Sequence, residues 1–143
     1  MASVNQTILV PGGTGGAYGG RVSLAAPLFV KYAADMTVTT DQSFVRVAGF
    51  TNWIPTYIVA IRASGAFGTA CAGGIYTAAG GGGTAIVAAG QSWANLTGSG
   101  KIVIATLNAG TTDAFTATPI LTLTTGNTGA LTANLYVFGL ILD

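Results

Sequence analysis

At 143 residues and 14.2 kDa the chain has the size of one domain, or of one domain with an arm. Half of its residues are hydrophobic and only 6% are charged: Arg21, Lys31, Arg46, Arg62 and Lys101 against Asp35, Asp41, Asp113 and Asp143, where an average domain of this length carries roughly 36 charges. With no His, no Glu and Cys71 as the single cysteine, the common general base, the pH switch, an internal disulfide and a structural zinc site are excluded. A non-enzymatic structural or binding protein without cofactor or metal is expected.

The same composition bears on partners. A net charge of +1 leaves no electrostatic footprint for nucleic acid. A folded monomer of this mass exposes on the order of 6,800 Å², far more than so few charges can keep soluble. Burial of much of that surface against copies of the chain or another partner follows. Mean hydropathy is +0.63, yet no apolar run approaches the ~18 to 20 residues of a spanning helix, so no membrane partner is expected. The start has no basic region followed by an apolar one, which also lowers the weight of the sequons at Asn5 and Asn95.

Taken in chain order, residues 3–10 alternate, with Val4, Gln6, Ile8 and Val10 on one face. The glycine-rich stretch 11–20 cannot pack by itself, and Pro27 interrupts the ambiguous stretch 21–34. Residues 1–34 are therefore read as an arm and 35–143 as the compact domain. Strands over 36–40 and 44–48 flank a short loop at 41–43. The strongest strand, 56–64, puts Tyr57, Val59, Ile61 and Ala63 on one side and Ile58, Ala60 and Arg62 on the other. Further strands are predicted over 69–77, 84–87 and 101–107. Residues 119–124 pair with 130–142 across the turn 125–129. In the last strand Leu131, Ala133, Leu135, Val137 and Ile141 share a face, and the opposite face changes from polar to apolar along its length. About eight short antiparallel strands with regular turns make an all-β, jelly-roll-like sandwich.

The glycine runs do not match nucleotide-binding motifs. Asn95 stands where a phosphate loop ending at Gly100-Lys101 needs its first glycine, and Tyr18 where a dinucleotide fingerprint from Gly13 needs its last. Ser92 lies in Gly90-Gln-Ser-Trp-Ala94, which lacks the final glycine of a nucleophile elbow, and no His exists to activate it. Cys71 reads as a small buried hydrophobe. Trp53, Tyr57 and Trp93 read as core. Tyr18, Phe29 and Tyr32, with Arg21 and Lys31 beside them, lie on a segment with little core of its own. Those five residues are the candidate interface.

The runs YIVAIRAS at 57–64, GIYTAAG at 74–80, GTAIVAAGQSWANLT at 83–97 and ANLYVFG at 133–139 resemble the capsid decoration, or cement, proteins of tailed bacteriophages. That resemblance implies a homotrimeric β-sandwich, made in the host cytoplasm. It implies a place on the virion surface, with the major capsid protein as partner. The alternative is a phage fibre or tail receptor-binding module that grips surface glycans. No functional residue is carried over from the resemblance.

Overall fold

The computed structural model describes residues 21–22, 26–68, 70–108 and 113–143. The strand expected over 3–10, the glycine-rich stretch 11–20 and Tyr18 lie outside the described residues. Ten strands form two antiparallel sheets: β1 (Arg21–Val22), β2 (Phe29–Asp35), β3 (Gln42–Ser43), β4 (Val45–Arg46), β5 (Trp53–Ile61), β6 (Ala72–Ala78), β7 (Gly82–Val87), β8 (Ile102–Ala105), β9 (Ile120–Thr125) and β10 (Thr132–Ile141). The larger sheet runs β4-β2-β10-β5-β8 with β1 also paired to β10, and the smaller runs β3-β9-β6-β7. One 3-10 turn, Ala79–Gly81, is the sole helical element among the described residues. The chain is the all-β sandwich its β-branched and glycine-rich composition implies.

Burial follows the period of two. In β10, Ala133, Leu135 and Val137 are fully buried while their neighbours are not, so this strand divides cleanly into core and outer faces. Facing it from the smaller sheet are Ile75, Leu121 and Leu123. An aromatic cluster closes one end of the core. Trp53 meets Phe29 edge-on at 4.7 Å between ring centroids and Phe115 at 5.6 Å, and its indole N–H donates to the Ala117 carbonyl at 3.2 Å. Trp93, equally buried, donates to the Gly73 carbonyl at 3.2 Å, so both large rings have their one polar group satisfied.

Pro55 sits inside β5, an inner strand, where proline is ordinarily excluded because it cannot donate to the ladder. A bulge resolves this: Tyr57 pairs with Phe138 but Pro55 pairs with Gly139, leaving Thr56 as the extra residue. Close approach of the two backbones there requires Gly139, since a Cβ would stand 2.0 Å from the Ile54 carbonyl oxygen.

Several local expectations differ from the observed connections. Residues 119–124 and 130–142 do not form a hairpin: β9 belongs to the smaller sheet and β10 to the larger. The link between them crosses the sandwich, and Asn127 organises it. Its side-chain oxygen accepts from the Gly68 amide at 2.5 Å and its side-chain nitrogen donates to the Gly129 carbonyl at 3.1 Å. Likewise 41–43 is no hairpin loop, because Gln42–Ser43 form β3 in the opposite sheet from β2 and β4. The Gln42 amide ties that crossover down, accepting from the Asp35 amide at 2.8 Å and donating to its carbonyl at 2.7 Å. The arm boundary expected at residue 34 falls within β2, which lies between β4 and β10 in the larger sheet.

Asn127→Ala leaves the Gly68 amide without its partner in a site that is 9% exposed at residue 127. Each of the part-buried bonds that Asn127 makes contributes about 0.5 to 1.5 kcal/mol. Chemical denaturation is expected to show a lowered midpoint with an unchanged slope; an unchanged midpoint would mean that the crossover is held by its backbone bonds alone.

Candidate interaction surface

The inner face of the larger sheet is core, and its outer face is apolar too. One row of paired residues crosses all five main strands: Val45 with Val30, Val30 with Tyr136, Tyr136 with Val59, and Val59 with Ile104. On one side of this row lie Tyr32, Asn134, Ile61 and Ile102, the last three in cross-strand register. On the other lie Val47, Phe138 and Tyr57. Tyr57 stacks on Phe138 with centroids 4.5 Å apart and 10° between planes, and Tyr32 meets Tyr136 edge-on at 6.0 Å. The rings brace one another, which lowers the entropy lost when a partner covers them.

Val30 and Val59 at the middle of the row are buried, Tyr136 and Phe138 are half-buried, and the residues around them are open to solvent. Tyr32 and Ile104 are 64% exposed, Val45 63% and Ile102 58%, values expected of polar side chains and not of adjacent large apolar ones on one sheet. The outer face of the smaller sheet is built differently. Thr122 and Thr124 occupy β9, and the Tyr76 ring lies against Gly74, where a Cβ would come within 2.8 Å of it. Thr122 and Thr124 spend their hydroxyls within the fold, on the Asp41 carboxylate and on the Ala72 and Ala89 carbonyls.

Arg46, Asp41, Asp35 and Asp143 are engaged within the fold. Arg46 turns inward, its guanidinium 4.8 Å from the Phe50 ring centroid and 5.4 Å from that of Phe29, donating to the Phe50 and Thr116 carbonyls. Asp41 accepts from the Thr122 hydroxyl and the Gly80 amide, and these bonds hold its carboxyl below the ordinary range. The Thr37 hydroxyl and amide lower Asp35 in the same way, and the Asn52 and Thr51 amides lower Asp143. Cys71 is fully buried, which pushes its thiol up, and it donates weakly to the Met36 carbonyl at 3.7 Å.

A lowered folded-state pKa stabilises above the unfolded value and is lost as pH falls through the folded one. With three lowered aspartates and no His in the chain, the melting temperature is expected to be flat from about pH 5 to 8 and to fall only below about pH 4. A step near pH 6 in a thermal melt series would contradict this.

A shallow depression of about 370 Å³ is lined by Gln91, Ser92, Thr106, Leu107, Asn108 and neighbouring small residues. Its polar side chains already brace loops: Gln91 accepts from the Thr106 amide and donates to the Ser92 carbonyl, and the Ser92 hydroxyl accepts from the Ala94 amide. Among the described residues no three of His, Cys, Asp or Glu converge on a metal-sized site.

Of the five residues singled out from the sequence, Phe29 and Tyr32 lie in different surroundings. Phe29 is fully buried in the aromatic cluster and Tyr32 is exposed on the outer face. Lys31 lies between them on β2, half-buried, Arg21 pairs through its backbone with Ile141 in β1, and Tyr18 is outside the described residues. Of the aromatics read as core, Trp53 and Trp93 are buried, whereas Tyr57 is 40% exposed on the outer face. Sequence reasoning did not single out Val45, Ile102 and Ile104 as exposed. Their signal was present as strands apolar on both faces, a pattern ordinarily read as burial on both sides.

Fold and surface together define an all-β sandwich with one core and, among the described residues, exposed apolar side chains on the outer face of its larger sheet. Residues 85–137, from within β7 to within β10, match the family model of the RodZ C-terminal domain, of a bacterial cell-shape protein family; the match spans less than half of the chain. No curated protein and no solved structure matches the chain. The match overturns the resemblance to phage decoration proteins, and with it the virion role, the capsid-surface location and the fibre alternative. The resemblance lay in Ala-, Gly- and Thr-rich strands, a composition that any small sandwich shares, so it carried no residue specific to a shell.

Proposed function

We propose that the chain is a non-catalytic structural domain that acts by protein–protein association through the outer face of its larger sheet. Val45, Val47, Tyr32, Tyr57, Ile102 and Ile104 carry this reading, because they set exposed apolar side chains around the Val45–Ile104 row of one sheet face. Contiguous apolar surface of this kind on a soluble domain marks an interaction site. The match of residues 85–137 to a domain of a cell-shape protein family supports a structural role.

Hydroxyl-radical footprinting tests the reading, comparing the purified chain at about 1 µM, where weak complexes dissociate, with the protein inside the cells that produce it. Tyr32, Tyr57, Ile104 and Tyr136 are expected to be protected in the cell and labelled when dilute. Equal labelling in both settings means that the face meets water in its working state, and the proposal fails.

A further inference from the structure

Resting on that reading of the outer face, we infer that its occupant is a second copy of this chain, stacked face to face about a two-fold axis running along the Val45–Ile104 row. Area sets the first condition. β4, β2, β10, β5 and β8 hold 2, 7, 10, 9 and 4 residues; at about 3.4 Å per residue and about 4.8 Å between strands they outline on the order of 500 Å² in projection. Two copies together bury on the order of 1,000 Å², which reaches the threshold of a specific interface and falls short of an obligate one. A reversible dimer fits that size.

Charge sets the second condition. None of the residues in the three rows is charged, so the face selects an apolar complement, and an identical face is one. Lys31 is half-buried within β2, and among the described residues the two exposed cations beside the face gather at one end: Ile61 pairs with Ile102, which places Arg62, just after β5, and Lys101, just before β8, side by side. An axis parallel to the strands brings that end of one copy to the same end of the other and collects four cations. An axis along the row carries the two cation pairs to opposite ends. It also lays Tyr32, Ile61 and Ile102 of one copy over Val47, Phe138 and Tyr57 of the other. Strand directions of the two sheets then lie within about 30°, at the usual ~10 Å separation of stacked sheets. The trimer implied by the decoration-protein resemblance has no support apart from that resemblance.

In this arrangement each row residue faces its own counterpart. Ile104→Cys puts a single reactive thiol on the axis, because Cys71 is fully buried. With the full-length chain at about 50 µM, well above the micromolar range where such interfaces form, a short bismaleimide is expected to yield at least about 10-fold more covalent dimer from Ile104→Cys than from Thr84→Cys. Thr84 is exposed on β7 of the smaller sheet. Equal yields from a chain that sediments at twice its mass overturn the axis. A chain that stays at its monomer mass overturns the second copy; the broader association reading then stands if the in-cell footprint is protected and falls if it is not.

Discussion

Ile104→Asp is expected to leave the melting temperature within a degree or two of the unaltered protein while reducing self-association at least about 100-fold. Ile104 is 64% exposed and sits in β8 at the edge of the larger sheet, so the monomer loses little, as for most surface substitutions. In a symmetric pair the carboxylate enters the interface twice. Each copy then loses an apolar contact and buries a charge without a partner, costs that together exceed about 2.8 kcal/mol, or two factors of ten. Thermal melts by circular dichroism and sedimentation velocity separate the two effects. A variant that melts early and still associates would place Ile104 in the core and move the interface elsewhere.

Trp53→Ala is expected to do the opposite. Trp53 has no exposed surface, touches Phe29 and Phe115, and donates to the Ala117 carbonyl. Removing a buried ring of this size costs about 3 to 5 kcal/mol, a large share of the stability of a domain of this size. At about 3 °C per kcal/mol this lowers the melting temperature by about 10 to 15 °C. Tyr57→Ala, which removes an exposed ring stacked on Phe138, is expected to cost less than about 1 kcal/mol. If the two variants melt alike, the division into a covered and an uncovered face of the larger sheet is wrong.

What the sequence reveals here depends on whether the determinant is local. Alternation in residues 131–141 is a local property, and Ala133, Leu135 and Val137 face the core as their spacing requires. Pro55 is a local signal as well, but it registers as a bulge only once Gly139 lies opposite. Sheet membership is not local. The turn residues 125–129 look like a hairpin because glycine permits one, while Asn127 in fact carries the chain from one sheet to the other. Phe29 reads as part of an arm because Pro27 and the glycines before it hide its strand, and its burial depends on Phe50 and Trp53 arriving from later in the chain. The interaction face was hidden for a related reason. A strand such as 102–105, apolar on both faces, announces two covers without naming them; the smaller sheet supplies one, and the proposed association supplies the other.

The claim that most needs testing is that apolar burial of this face against a second copy, and not charge, holds the assembly together. Sedimentation equilibrium of the unaltered chain from about 1 to 100 µM, at 0.1 M and 1 M salt, addresses it directly. Salt shortens the screening length from ~10 Å to ~3 Å over that range but does not weaken apolar burial. The mass is expected to rise from 14.2 kDa toward twice that value with a midpoint that stays put or moves to lower concentration in high salt. A mass fixed at 14.2 kDa throughout, or a dimer that dissolves in 1 M salt, would contradict it.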